Sequence, residues 1–307
     1  MLVPAACANY NGGVPASLCY CPVCQSLLDD FTVGGVVNRR PRAMCPKCQS
    51  LERHRLLAMV LGSMAPVLAA ARVVLDIAPA PQLSRILRRE TGGLYLTCDL
   101  DPAADRRSVL LQCDLTSLPL ADESADVIVC SQVLEHVPDD AAAMRELRRV
   151  LSPGGVALVN VPYRKGTITD EDPSASEDER IRRFGQADHV RYYGDDIDDR
   201  LRAAGLQFSK ASAVELCGDE LVYRLGLSAG ETFWFVRKGG GDVPGVPRFE
   251  ALAAFAGLSS REALSRSVAA RAALVRWRGR ARRRLGVLIR RVPPAAGLLR
   301  LVRRIVH

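Results

Sequence analysis

Residues 125–162 constrain the fold more than any other part of the sequence, because their pattern alternates between strand and helix. Residues 125–130 are a short apolar run rich in β-branched side chains, which is typical of a strand covered on both faces. From Asp139 apolar residues recur at helical spacing, and Pro153-Gly154-Gly155 ends this pattern before a second apolar run at residues 156–161. A strand, a helix and a strand in this order predict a right-handed crossover in a parallel sheet, and hence an α/β fold.

Two pairs of cysteines near the start of the chain have the spacing of a metal site. Cys21 and Cys24 are followed, after an interval of twenty residues, by Cys45 and Cys48. Two such turns present four thiolates to one tetrahedral ion, which is the pattern of a zinc ribbon; with no open coordination position, the predicted zinc ion is structural. The alternative is four unrelated buried or redox-active cysteines. The remaining cysteines are scattered, which favours reduced thiols and predicts a cytoplasmic protein.

Three aspartates stand at the ends of three successive predicted strands. These strands are residues 72–77, 94–98 and 109–113. Asp76 lies in the first strand, Asp99 follows the second, and Asp114 follows the third. An acidic side chain at the end of a second strand is a recurrent way of holding a ribose, and ligands of open α/β sheets bind at this edge. For Asp99 or Asp114 alone, a helix cap or a turn is an equally good explanation. The two together, at consecutive strand ends beside Asp76, favour binding of a cofactor.

The sequence resembles the class I S-adenosylmethionine-dependent methyltransferases, most closely the type 11 branch. The resemblance rests on Asp126 at the start of a strand, on Leu-Glu-His-Val at 134–137, and on Arg-Val-Leu-Ser-Pro-Gly-Gly at 149–155. It covers about residues 72–237. It implies a doubly wound, Rossmann-like α/β sheet that is mostly parallel with an antiparallel edge strand, to which the chain adds a small zinc ribbon and a C-terminal helical tail.

The resemblance also implies a set of residues that bind S-adenosylmethionine. These are Asp76, Ala78, Ala80, Asp99, Leu100, Asp114, Leu115 and Ser131. In the family, the positions of Asp99 and Asp114 hold the ribose hydroxyls and the adenine amine. Ala78, Ala80 and Gln82 occupy positions where the family has glycine, so the chain departs from the family at its best-known motif.

Catalytic candidates come from two loops beside the same sheet edge. His136 follows the fourth predicted strand, and Asp188 and His189 lie in a polar loop after the fifth. We expect His189 to be the general base, oriented by Asp188, for an acceptor hydroxyl. Two alternatives are that His136 only supports its own loop and that the later loop is a polar plug. The preceding residues 163–183 are predicted to be a lid or a disordered insert.

The predicted organisation has four parts. They are a zinc-ribbon-like module with a helix (1–64), the methyltransferase domain (65–238), a linker (239–258) and an Arg-rich amphipathic helical tail (259–307). Residues 242–307 carry a net charge of +12, whereas the rest of the chain carries −4. The tail predicts peripheral contact with an anionic membrane, with RNA as an alternative, or a helix docked on its own domain. No apolar run is long enough for a transmembrane segment.

The leading functional prediction is a cytoplasmic methyltransferase for a small-molecule or sugar-type acceptor. One alternative is an RNA methyltransferase that uses the zinc module and the basic tail, although the acidic body of the chain argues against it. The other is a non-catalytic binding protein on a degenerate methyltransferase fold, which the missing glycines suggest.

Overall fold

The computed structural model describes residues 19–35, 39–101 and 109–239. The Arg-rich tail and nearly all of the predicted linker lie outside the described residues, and so do the predictions of membrane and RNA contact that rest on the tail. Among the helices described, none is long and apolar enough to cross a membrane.

Strands and helices alternate along most of the described chain. The strands are β1 (Cys19–Cys21), β2 (Ser26–Leu28), β3 (Thr32–Gly34), β4 (Arg40–Met44), β5 (Val73–Ile77), β6 (Leu94–Asp99), β7 (Leu111–Gln112), β8 (Ala125–Ser131), β9 (Leu151–Asn160), β10 (Asp170–Glu171), β11 (Arg191–Tyr192), β12 (Leu206–Ser212) and β13 (Thr232–Lys238). The helices are α1 (Glu52–Ser63), α2 (Ala65–Ala70), α3 (Pro81–Glu90), α4 (Asp140–Val150), α5 (Glu177–Phe184), α6 (Ile197–Ala203) and α7 (Ala213–Arg224), and a 3₁₀ turn spans Leu134–His136.

Seven of these strands form the central sheet, in the spatial order β12-β13-β9-β8-β5-β6-β7. Five neighbouring strands of this sheet are mutually parallel, namely β9, β8, β5, β6 and β7. The chain runs outward from β5 to β7 and then returns to β8, which lies on the other side of β5. The prediction of a doubly wound, mostly parallel sheet is therefore confirmed, and the strand order reverses between β5 and β8.

The antiparallel strand was predicted at the edge of the sheet, and this part of the prediction is wrong. β13 is antiparallel to both of its neighbours, β12 and β9, and the edge strand is β12. The first five residues of β13 are all buried, which suits a strand that is paired on both sides and covered on both faces. In β12, by contrast, only Leu206 and Ala211 are buried.

Helix α4 makes the predicted crossover between β8 and β9. The Asp139 side chain caps it by accepting a hydrogen bond of 2.8 Å from the Ala142 amide, which satisfies one of the unpaired donors of the first turn. The helix ends at Val150, and β9 starts at once with Leu151 rather than at the predicted residue 156. The strand begins early because Leu151 already pairs with Ala125 of β8.

The N-terminal strands form two small antiparallel hairpins, β1–β2 and β3–β4. Helix α1, which the sequence analysis assigned to the N-terminal module, does not pack only on these hairpins. Its buried residues Leu57 and Leu61 belong to the same hydrophobic cluster as Val74 of β5. The N-terminal module and the central sheet therefore share a core.

The segment at residues 163–183, predicted as a lid or a disordered insert, is ordered. It contains β10, which pairs with β11, and α5, where Ser176 and Glu179 form a capping box. The sequence analysis missed α7. Its signal was a second capping box, Ser212 with Glu215, but Gly218 interrupts the helix with a φ of +73°.

Candidate cofactor pocket and active site

A cavity of ≈ 390 Å³ lies at the carboxyl ends of β5 and β8, where the strand order reverses. Ile77 and Ala78 line it from the end of β5, and Ser131 and Gln132 line it from the end of β8. This is the position at which open α/β sheets bind their ligands, and the volume lies in the range of small-molecule pockets.

The loop after β5 forms one wall of the cavity. Ala78, at the first of the glycine positions, has a φ of +49°, a left-handed conformation that a side chain makes unfavourable. Its amide donates a hydrogen bond of 2.8 Å to the carbonyl oxygen of Cys98, which holds the loop against β6. Pro81 is the first residue of α3, where the absence of an N–H group does no harm. The backbone thus keeps the shape that the missing glycine would favour.

Asp76, the acidic residue of this motif, is buried and lines the cavity. Its Oδ2 atom accepts a hydrogen bond of 2.6 Å from the hydroxyl of Tyr95 on the neighbouring strand. Burial raises the pKa of that Tyr95 hydroxyl, which therefore stays a donor.

The predicted binding residues divide into two groups. Asp76, Ala78, Ala80 and Ser131 line the cavity. Asp99, Leu100, Asp114 and Leu115 stand at the ends of β6 and β7, as predicted from the strand pattern, but are not among its lining residues. The carboxylate of Asp114 accepts hydrogen bonds of 2.8 Å from both the amide and the hydroxyl of Thr116 in its own turn.

The histidines lie at the far end of the cavity, but not in the predicted pairing. We expected Asp188 to orient His189. Instead, the carboxylate and the carbonyl oxygen of Asp188 both lie 3.2 Å from Nδ1 of His136. The two imidazole rings are in edge-to-face contact, with centroids 4.6 Å apart. His136 and Asp188 line the cavity, whereas His189 is buried behind them, and burial lowers its pKa to about 4. Nδ1 of His189 donates a hydrogen bond of 3.2 Å to the carbonyl oxygen of Phe184.

Glu135 is a functional candidate that the sequence analysis did not select. It lines the cavity, its side chain is fully buried, and neither carboxyl oxygen has a hydrogen-bond partner among the described residues. Burial raises its pKa to about 8. Arg191, also fully buried, donates to the carbonyl oxygens of Leu134 and Pro138 at 2.8 Å and so holds the turn that carries Glu135.

Helix α1 contributes two further residues to the cavity, Arg53 and His54. Burial lowers the pKa of both side chains, that of His54 to about 3. From its charge alone, Arg53 would be expected on the solvent-facing side of its helix. The packing of α1 on the sheet turns it toward the cavity, beside Gln82, whose buried Oε1 has no hydrogen-bond partner among the described residues.

The predicted metal ligands come together in the N-terminal module. The sulfur atoms of Cys21, Cys24, Cys45 and Cys48 all lie within 4.8 Å of one another. The Sγ atoms of Cys21 and Cys48 are 3.6 Å apart, and those of Cys24 and Cys45 are 3.8 Å apart. Burial raises the pKa of the Cys21 thiol, so a thiolate at this position needs a cation beside it.

Comparison with known proteins shows what the region around the cavity is similar to. Residues 67–159 match the model of the family described as "Methyltransferase domain". This part of the chain is similar to a methyltransferase domain. The match includes β5, β8, α4 and nearly all of β9, and thus the two strand ends that bound the cavity.

Individual proteins are similar to this chain over part of their length. A protein of Mycobacteroides abscessus named "Uncharacterized methyltransferase" is 31% identical over 134 residues, which are 40% of this chain and 50% of that protein. A protein of Mycolicibacterium smegmatis named "Probable S-adenosylmethionine-dependent methyltransferase" is 53% identical over 51 residues, 17% of this chain and 20% of that protein. The chain thus spans half or less of the length of these curated relatives.

Among solved structures, a crystal structure of an S-adenosylmethionine dependent methyltransferase from Mesorhizobium loti is similar with a TM-score of 0.43 and 15% identity. The similarity covers 58% of this chain and 95% of that chain.

Proposed function

We propose that this protein is an S-adenosylmethionine-dependent methyltransferase that acts on a small-molecule or sugar-type acceptor. The observation that carries the proposal is the cavity at the strand reversal of the methyltransferase domain, bounded by Ala78 after β5 and by Ser131 and Gln132 after β8. A cavity at this position, with a buried carboxylate at Asp76, suits a ligand that combines polar groups with an apolar body.

The donor set suits the methionine end of the cofactor. S-adenosylmethionine, when bound, supplies an electrophilic methyl group on a sulfonium sulfur. The methionine end carries a carboxylate, which needs a cation and hydrogen-bond donors, and an amino group, which needs hydrogen-bond acceptors. Arg53 offers a guanidinium that donates no hydrogen bond within the described part of the chain. The buried Oε1 of Gln82 offers an acceptor that has no hydrogen-bond partner there. We therefore add Arg53 and Gln82 to the proposed binding residues.

The remaining binding residues are proposed from the family pattern. Asp99 with Leu100 would hold the ribose, and Asp114 with Leu115 would hold the adenine, at the ends of β6 and β7. For the acceptor, the proposed residues are His136, His189 and Asp188, which approach the cavity from the two loops beyond β8 and β9.

Binding of the cofactor product provides the first test. Titration calorimetry of the full-length protein with S-adenosylhomocysteine should show one site per chain. A transfer assay with radiolabelled S-adenosylmethionine should then label a small-molecule fraction but not RNA. If S-adenosylhomocysteine does not bind, the proposal is overturned and a non-catalytic protein on this fold is favoured. If RNA is labelled, the acceptor is RNA instead of a small molecule.

We also propose that Cys21, Cys24, Cys45 and Cys48 bind one structural zinc ion. Four sulfur atoms at this mutual distance match a tetrahedral thiolate site, and they leave no open coordination position for chemistry. In this role the ion would hold together the two hairpins, which are otherwise too short to be stable alone.

A further inference from the structure

Three side chains of types that can bind metals converge beside the cavity. Glu135, His136 and His189 each offer one donor atom, and these atoms all lie within 4.8 Å of one another. We refer to these three residues as the Glu135 cluster. Bonds of about 2.1 Å to a common ion would place neighbouring donors roughly 3 Å apart, so modest side-chain rotations would complete such a site.

The carboxyl group of Glu135 gives the first reason to expect a ligand here. It is fully buried, and neither oxygen has a hydrogen-bond partner among the described residues. A buried carboxyl group without a partner is costly, and proteins compensate it by pairing or by metal coordination. Arg53 lines the same cavity but donates no hydrogen bond to the carboxyl group of Glu135.

The hydrogen bonds of the two histidines give the second reason. Nδ1 of His136 lies 3.2 Å from two acceptor groups of Asp188, its carboxylate and its carbonyl oxygen, and donates its proton to them. Nδ1 of His189 likewise donates to the carbonyl oxygen of Phe184. When a ring with this arrangement is neutral, its Nε2 bears the lone pair. Histidine ligands of metals are held in this way, by a carboxylate or carbonyl on the other ring nitrogen.

In the structure, Nε2 of His189 accepts a hydrogen bond of 2.8 Å from the side-chain amide of Gln186. This bond shows that the lone pair of Nε2 is available to an electrophile. Gln186 lines the cavity, so its amide has space to turn away when an ion takes its place.

We propose that the Glu135 cluster binds one divalent first-row transition metal ion, through a carboxylate oxygen of Glu135 and Nε2 of both histidines. Two histidines and one carboxylate on one side of an ion leave its other positions open. These positions face the cavity, since Glu135 and His136 line it.

The site would determine which acceptors are used, and this part of the inference rests on the proposed methyltransferase function. An acceptor hydroxyl oxygen bound at an open position loses its proton to solvent more readily, because the charge of the ion stabilises the oxyanion. The histidines then hold the ion instead of taking the proton themselves. The acceptor class is accordingly a compound with a metal-binding hydroxyl group.

Manganese titration of the full-length protein tests the site without turnover. The zinc content is measured first, and MnCl₂ is then added while the electron paramagnetic resonance signal of free Mn²⁺ is followed. Mn²⁺ prefers oxygen and nitrogen donors to thiolates, so the four cysteines do not compete for it. We expect one bound Mn²⁺ per chain beyond the zinc, and equilibrium dialysis against Zn²⁺ should give a second zinc ion.

Variants separate the cluster from general effects. Glu135→Gln and His136→Gln should each weaken Mn²⁺ binding roughly tenfold or more, and Asp188→Asn, which only orients His136, should weaken it about tenfold. His54→Gln is the matched control, because His54 lines the same cavity but lies outside the cluster. Circular dichroism with thermal melting checks that each variant is folded.

Wild-type protein that binds neither Mn²⁺ nor a second Zn²⁺ would overturn the proposal, and so would a folded Glu135→Gln variant with wild-type Mn²⁺ affinity. Titration of the same samples with S-adenosylhomocysteine keeps the two proposals apart. Binding of that ligand without a second metal ion rejects only the metal site, whereas metal binding without that ligand rejects only the cofactor.

Discussion

The Nε atom of Arg55 donates a hydrogen bond of 2.7 Å to the carbonyl oxygen of Leu225, which joins the N-terminal module to the end of α7. The same guanidinium, fully buried, donates to the carbonyl oxygens of Ser50 and Gly226. It stacks over the ring of Phe31, with 4.0 Å between Cζ and the ring centroid. One side chain thus satisfies carbonyl groups on both sides of the junction.

Arg55→Met should lower the free energy of unfolding by about 3 kcal/mol or more, because it leaves several buried carbonyl groups without donors. Urea denaturation measures the change. Arg89→Met, at a half-exposed arginine of α3, is the control and should stay within about 0.5 kcal/mol of the wild type. Equal effects of the two substitutions would show that Arg55 does not hold the junction.

The zinc proposal predicts about one zinc ion per chain in protein purified without chelators. Cys45→Ser should lose the ion and lower the melting temperature, because the ion joins two hairpins that have little core of their own. Cys217 lies in α7, outside the group of four cysteines, so Cys217→Ser should keep the zinc. Metal analysis and thermal melting give the answer, and wild-type protein free of zinc would refute the assignment.

The left-handed conformation of Ala78 makes a prediction that a glycine can test. Ala78→Gly should raise the free energy of unfolding by about 1 kcal/mol, because it removes the steric cost of a side chain at positive φ. Ala80→Gly is the matched control: Ala80 has a φ of −75°, so a glycine there relieves no strain at positive φ and should not give this gain. If Ala78→Gly is no more stable than Ala80→Gly, the loop is not strained.

Two substitutions can separate the ends of the cofactor. Arg53→Gln and Asp99→Ala should each weaken S-adenosylhomocysteine binding by about 1.5–3 kcal/mol, the scale of hydrogen bonds to charged groups. Binding of 5′-methylthioadenosine, which has the ribose but no carboxylate, should be weakened by Asp99→Ala and left unchanged by Arg53→Gln. Calorimetry measures both ligands, and an equal effect of Arg53→Gln on the two would place the guanidinium elsewhere.

Local sequence patterns were sufficient to predict many of the strands and helices of this protein and the group of four cysteines. The alternation at residues 125–160 identified β8, α4 and β9, because helical and strand periodicity is written in neighbouring residues. The two Cys-x-x-Cys turns identified the four sulfur atoms that come together, since each turn positions its own pair. The strand ends carrying Asp76 and Asp99 followed from the same short-range signals.

Only the tertiary structure decided which distant groups meet. β13 lies between β12 and β9 instead of at the edge, and Arg53 turns toward the cavity, because the packing of whole elements sets these positions. The partner of Asp188 is His136, from a loop some fifty residues earlier, rather than its neighbour His189. A single sequence contains no local signal for such pairs, since the free energy that selects them arises from burial and hydrogen bonding across the folded sheet.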